Sequence, residues 1–91
     1  MKLLIIEDET AAAMNLRSIL NTVTPDAEIV DVIDTVVDSI EWFENNPMPD
    51  LVFMDIQLSD GESFKMFDKV KISCPIVFTT AYDQYALKAF E

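Results

Sequence analysis

The feature that most constrains the fold is an alternation of short apolar runs with longer amphipathic stretches. The runs have the length of strands and lie at residues 3–6, 28–33, 51–54 and 75–79. Between and after them, apolar residues recur at helical spacing in residues 10–23, 36–43, 64–70 and 82–90. The sequence therefore predicts the element order β-α-β-α-β-α-β-α.

Polar residues and prolines mark the ends of these elements. Pro25 closes the first helical stretch, and Thr35 followed by Asp38 resembles a capping box at the start of the second. Glu28 and Asp31 interrupt the second apolar run, which is typical of a strand at a sheet edge. These signals assign the second strand to the outside of the sheet.

Strands that alternate with helices predict an α/β fold with a parallel sheet, right-handed crossovers and helices on both faces. The 91 residues suffice for one small doubly wound domain, residues 1–91, in which we expect the strand order 2-1-3-4. That order makes strands 1 and 3 neighbours. Ligands of such sheets bind beyond the carboxyl ends of the strands, where the strand order reverses.

Composition excludes several classes of function. The formal net charge of −11 disfavours direct binding to nucleic acids or anionic membranes, although solubility alone explains much of that excess. With no histidine and one cysteine, zinc, haem and iron–sulfur sites are nearly excluded, and a metal should be a hard ion such as Mg²⁺. No apolar run approaches the roughly 20 residues that span a bilayer, and the N-terminus is too short for a signal peptide. We expect a cytoplasmic protein.

Acidic residues collect at the predicted carboxyl ends of two neighbouring strands. Glu7, Asp8 and Glu9 follow the first strand, and Asp55 ends the third. Each acid alone would most simply face solvent, but together they would repel one another unless a cation lay between them. The fourth strand ends in a threonine pair that includes Thr80. The pattern predicts a Mg²⁺ site at which the Asp55 carboxylate accepts a phosphoryl group and Thr80 binds its oxygen.

Three segments resemble response-regulator receiver domains, which have a flavodoxin-like fold. They are Leu-Leu-Ile-Ile-Glu-Asp-Glu at residues 3–9, Leu-Val-Phe-Met-Asp-Ile-Gln-Leu at 51–58 and Ile-Val-Phe-Thr-Thr-Ala at 76–81. The resemblance implies that Glu7 and Asp8 organise Mg²⁺, with Asp8 a direct ligand. It also implies that Asp55 is phosphorylated and touches the metal, that the Gln57 backbone carbonyl is a further ligand, and that Thr80 and Ala81 form the switch.

The segment from Ala81 to Phe90 is similar to receivers that precede LytTR-type DNA-binding domains. This similarity implies a sensor histidine kinase as phosphoryl donor and a C-terminal output domain as partner. Receivers usually have a fifth strand and a fifth helix, with a switch aromatic and a catalytic lysine, and neither residue has a match here. We therefore expect a C-terminally truncated receiver, which would either self-associate through the exposed edge of the fourth strand or be marginally stable.

Three functions stay open at this point. The first is a phosphoacceptor switch that catalyses its own phosphotransfer and dephosphorylation and is not a conventional enzyme. The second is an aspartyl-phosphate hydrolase, which commonly has a second acid two residues after the nucleophile, where this chain has Gln57. The third is a receiver-like interaction module that takes no phosphate. The complete set of Glu7, Asp8, Asp55 and Thr80 favours the first.

Overall fold

The computed structural model describes residues 1–79, which form two α-helices, a 3₁₀ helix and six strands. The elements are β1 (Lys2–Ile6), α1 (Thr10–Val23), β2 (Glu28–Ile33), α2 (Val36–Asn45), β3 (Leu51–Asp55), β4 (Gln57–Leu58), β5 (Gly61–Glu62), the 3₁₀ helix (Ser63–Asp68) and β6 (Ile76–Thr79). The predicted helix at 82–90 and the predicted switch residues Thr80 and Ala81 lie outside the described residues. Within residues 1–79, no helix has the length and apolar character needed to cross a membrane.

Four of the strands form one parallel sheet in the order β2-β1-β3-β6. Since β6 is the fourth strand of this sheet along the chain, the predicted 2-1-3-4 order is confirmed. The strand ends are level: Ile6 lies opposite both Ile33 and Met54, and Asp55 lies opposite Thr79. This register brings the carboxyl ends of β1, β3 and β6 to the same edge of the sheet.

Successive residues of β1 point to opposite faces of the sheet and so enter two separate cores. Leu4 and Ile6 join the core under α2 and the 3₁₀ helix, whereas Leu3 and Ile5 pack with Leu20 of α1. These four apolar side chains of β1 are buried, whereas Lys2 at its start is exposed. A strand covered on both faces explains why residues 3–6 are continuously apolar.

Helix α2 begins where the sequence predicts, but only one of its first two valines lies in the core. The Thr35 hydroxyl accepts a hydrogen bond from the Asp38 backbone N–H at 3.0 Å, as the predicted cap requires. The apolar spacing includes both Val36 and Val37; Val36 is buried, as expected, whereas Val37 is 66% exposed. Val36 lies one helical turn from Ser39 and Ile40, so the face that packs on the sheet starts with it.

The third helical stretch is a short 3₁₀ helix rather than the expected helix through residue 70. Phe64 packs edge-on against Phe78 of β6, with 5.2 Å between ring centroids, but Phe67 is 39% exposed. Glu62 at the N-terminal boundary makes no side-chain capping bond, and β-branched Val70 and Ile72 follow the helix. Both features disfavour a longer α-helix.

Candidate functional site

The ends of β1 and β3 bring three carboxylates together. Glu7, Asp8 and Asp55 each offer a carboxylate oxygen, and these oxygens all lie within 4.8 Å of one another. Strand pairing holds the group in place, because Ile6 and Met54 are neighbours in register and the Glu7 backbone N–H continues the ladder to Ile33 O at 2.8 Å. The acids that the sequence placed at one sheet edge thus meet there.

Burial and mutual repulsion make two of these carboxyl groups hard to ionise. Burial is the main cause that raises the pKa of Glu7, to about 7, and the charges of Asp55 and Asp8 add to it. The Glu9 backbone N–H, which donates to Glu7 Oε1 at 3.1 Å, opposes part of this rise. Burial also raises the pKa of Asp55, against the hydrogen bond from the Gln57 amide.

The donor set suits a hard divalent cation. All three side chains offer carboxylate oxygen, and a cation between them would offset the repulsion that raises the two pKa values. Asp8 is exposed, whereas Glu7 and Asp55 are half-buried, so a bound ion could keep several of its water molecules on the open side. Partial hydration with one or two carboxylate ligands is typical of Mg²⁺.

The chain after Asp55 turns back on itself beside the acids. Ile56 is buried, and the Gln57 backbone N–H donates to Asp55 Oδ1 at 3.4 Å. The exposed Gln57 side chain donates from Nε2 to Leu58 O at 3.3 Å. The Gln57 backbone therefore adjoins Asp55, and the metal-ligand role of its carbonyl stays a prediction.

On the other side of β3, the described residues end one position before the predicted phosphoryl contact. Thr79 is half-buried and lies opposite Asp55 in the sheet. Thr80 and Ala81, which the resemblance assigns to the switch, lie outside the described residues. Their roles stay predictions.

Asp60 makes a contact that sequence reasoning missed. Its Oδ1 accepts a hydrogen bond from the Val36 backbone N–H at 2.7 Å, and its Oδ2 accepts one from the Val37 N–H at 3.1 Å. Slight burial raises the pKa of Asp60, but these amides and then the Lys65 charge outweigh it, so the pKa lies below the usual value. The Asp60-Gly61 pair indicates a turn, but no local signal in the sequence indicates that the side chain caps α2.

Comparison with known sequences gives a consistent result along the chain. The profile of the family described as "Response regulator receiver domain" matches residues 3–91. "Sensory transduction protein LytT" of Bacillus anthracis is 45% identical and "Transcriptional regulatory protein LytR" of Staphylococcus aureus is 36% identical, each over 100% of this chain. The chain spans 37% of the length of each of these two relatives.

Solved structures share the fold. The response regulatory domain of protein mrkE from Klebsiella pneumoniae is similar with a TM-score of 0.83 and 30% identity, over 99% of this chain and 75% of that chain. The response regulator PhyR from Brucella abortus has a TM-score of 0.80 and 27% identity, over 99% of this chain and 37% of that one. Both similarities extend over nearly the whole chain.

Proposed function

Because the chain belongs to the response regulator receiver domain family, we propose that it is a single phosphoacceptor domain in which Asp55 is phosphorylated. A receiver of this kind is a signalling domain of a two-component system rather than a conventional enzyme. The observation that carries the proposal is the meeting of Glu7, Asp8 and Asp55 within 4.8 Å at the carboxyl ends of β1 and β3. A cation would offset the repulsion within this cluster, and a cation beside a carboxylate nucleophile suits phosphoryl transfer.

In the proposed reaction, a carboxylate oxygen of Asp55 attacks the phosphorus of the donor. The new P–O bond forms an acyl phosphate, and the bond from phosphorus to the donor atom breaks, with the electron pair leaving on the donor. Glu7, Asp8, Asp55 and the Gln57 carbonyl would hold Mg²⁺, which supplies charge neutralisation for the phosphoryl oxygens. Later attack of water on the same phosphorus would return Asp55 to the free carboxylate.

The proposed switch consists of the residues that follow β6 in the sequence. Thr79 lies opposite Asp55, and Thr80 is the next residue in the sequence. We assign Thr80 to the phosphoryl oxygen, and Ala81 to the segment that shifts with it. An output domain would read this change as a shift between two states of one surface.

The relatives support the proposed partners. Their names include a sensory transduction protein and a transcriptional regulatory protein, and both are longer than this chain. We propose a sensor histidine kinase as the donor and a LytTR-type DNA-binding output domain as the receiver of the signal, in the cytoplasm. The net charge of −11 makes direct DNA binding by this chain unfavourable.

Phosphorylation with a small acyl phosphate tests the proposal. Incubation with acetyl phosphate and Mg²⁺ should add one phosphoryl group, detected by intact-mass measurement, and chelation of Mg²⁺ should prevent it. Asp55→Asn should abolish uptake, since the amide is no longer the nucleophile. Asp26→Asn is the matched control, because it makes the same chemical change at an exposed acid in the turn after α1.

Three results would count against this function. Equal uptake by the Asp55→Asn variant would show that another residue is the acceptor. Failure of the wild-type chain to bind beryllofluoride with Mg²⁺, measured by ¹⁹F NMR, would favour an interaction module without phosphate. Sustained turnover of phosphate monoesters would favour a hydrolase.

A further inference from the structure

The loop that follows Asp55 is a small closed unit. In the hairpin of β4 and β5, Gln57 lies opposite Glu62 and Leu58 lies opposite Gly61. Gly61 has φ +138°, a conformation that side-chain-bearing residues rarely adopt, and this permits the tight turn. The Ser63 backbone N–H closes the unit by donating to Ile56 O at 2.8 Å. Movement of Gln57 must therefore carry the turn that contains Asp60.

Asp60 ties this closed loop to a helix that is remote in sequence. Its two carboxylate oxygens bind the Val36 and Val37 amides, 24 and 23 residues earlier in the chain. These amides belong to the first turn of α2, where N–H groups lack partners within the helix. Thr35 caps a different amide, that of Asp38. The start of α2 thus has one local cap, from Thr35, and one cap from Asp60 in the loop that follows Asp55.

We propose that Asp60 is a positioning residue that fixes the loop beside Asp55 and transmits changes at Asp55 to α2. This inference rests on the function proposed above, because it concerns Mg²⁺ and phosphoryl binding at that site. With the first turn of α2 as an anchor, the Gln57 backbone is held at the acceptor. A group bound at Asp55 that displaces Gln57 in turn pulls on the Val36 and Val37 amides.

A purely structural cap would act differently. If Asp60 only stabilised α2, its loss would resemble the loss of Thr35, since each side chain satisfies N–H groups in the same helical turn. A positioning residue should change metal affinity as well. Outer-shell partners of metal ligands alter affinity about 10–100-fold, and Asp60 acts one link further away, so about 3–10-fold is expected.

The test is a Mg²⁺ titration of the 91-residue chain followed by ¹H–¹⁵N NMR, with beryllofluoride added at the end. Wild-type protein should show shifts of the Asp8 and Ile56 amides on binding and of the Val36 and Val37 amides in parallel. Asp60→Ala should weaken Mg²⁺ binding about 3–10-fold and abolish the parallel shifts in α2. Thr35→Ala, the matched control, should leave both unchanged. Asp60→Asn keeps one acceptor oxygen for the α2 amides, so it should retain the fold and give an intermediate result.

The outcomes separate this inference from the proposed function. Absence of Mg²⁺ binding in the wild type would overturn the proposed function and remove the basis of the inference. If the wild type binds Mg²⁺ and both Asp60→Ala and Asp60→Asn bind it with the wild-type affinity, the inference alone would be overturned. An equal loss of affinity in Thr35→Ala would reduce Asp60 to a helix cap.

Discussion

Glu7 is the residue at which the energetic conflict of the site is greatest. Burial, with the charges of Asp55 and Asp8, raises its pKa from 4.5 to about 7. Between these two values the folded chain binds a proton that the unfolded chain does not. The contribution of Glu7 to stability is therefore fully present below 4.5 and is lost as the pH rises through about 7.

This linkage predicts that Glu7→Gln flattens the dependence of stability on pH. From about pH 5 to about pH 8 the melting temperature of the wild type should fall. The melting temperature of Glu7→Gln should fall less, because the amide side chain stays neutral. Solvent screening of a half-buried group limits the difference to about 1 kcal/mol, or about 4–8 °C in a domain of this size. Calorimetry at several pH values measures it.

Two further measurements make the Glu7 prediction specific. Mg²⁺ should raise the melting temperature of the wild type most at the high end of this range, where the carboxylates are ionised. Glu9→Gln, a change at an exposed neighbour, should keep the wild-type pH profile. If the melting temperatures of Glu7→Gln and the wild type depended on pH in the same way, the raised pKa of Glu7 would be contradicted.

At the scale of the residue, the sequence was sufficient to group the three acids but not to identify the contact that Asp60 makes. Glu7, Asp8 and Asp55 could be grouped because each directly follows or ends an apolar run, and parallel strands end at one edge. Asp60 could not, since its partner amides lie 24 and 23 residues away and the contact depends on how the loop folds back. Periodicity does not describe such long-range side-chain contacts.

At the scale of the element, apolar spacing located the helices better than it defined their type. The spacing places α1 and α2 correctly because each has a broad apolar face that packs on the sheet. Residues 64–70 have the same spacing but form a 3₁₀ helix that ends at Asp68. The β4–β5 hairpin was not predicted, because strands of two residues have no periodic pattern.

Two fully buried serines, on α2 and on the 3₁₀ helix, provide an element-scale prediction. Ser39 donates to Thr35 O at 2.7 Å, whereas Ser63 Oγ has no hydrogen-bond partner among the described residues. Ser63→Ala should stabilise the fold by about 1 kcal/mol, since it removes a buried hydroxyl that is not hydrogen-bonded. Ser39→Ala should destabilise it by about 0.5–1 kcal/mol.

Urea unfolding of the two variants beside the wild type measures this contrast. The midpoint should move up for Ser63→Ala and down for Ser39→Ala at constant m value. A clear loss of stability in Ser63→Ala would mean that its hydroxyl has a partner in solution. Because the substitution is the same in both, changes in side-chain size cancel from the comparison.

At the scale of the whole molecule, the two edges of the sheet differ in charge. The edge strand β2 carries exposed Glu28 and Asp31, which discourage pairing with another sheet. In the part of the chain that the structure describes, β6 pairs only with β3, and its Val77 is 44% exposed. Self-association therefore remains a prediction for the β6 edge.

Sedimentation velocity of the 91-residue chain tests self-association. We expect oligomers that become more abundant with salt, because screening weakens the repulsion between molecules of charge −11. Val77→Lys should shift the population towards monomer. Val23→Lys makes the same change on α1, at a residue that is 69% exposed, and should leave the oligomer population unchanged. A monomer at all salt concentrations would show that this edge does not mediate association.

The position of β1 between β2 and β3 also predicts an order of events during folding. Leu3 lies opposite both Ile29 of β2 and Leu51 of β3. β1 can therefore pair with β2 as soon as the chain extends to residue 33, but its other edge can pair only after β3 is present. We expect closure of that longer loop to be the slower step. Glu7 and Asp8 meet Asp55 only when β3 has paired with β1. The same holds for a chain that emerges from the ribosome. Cation binding by the three acids would therefore report, in time, that the central sheet has closed.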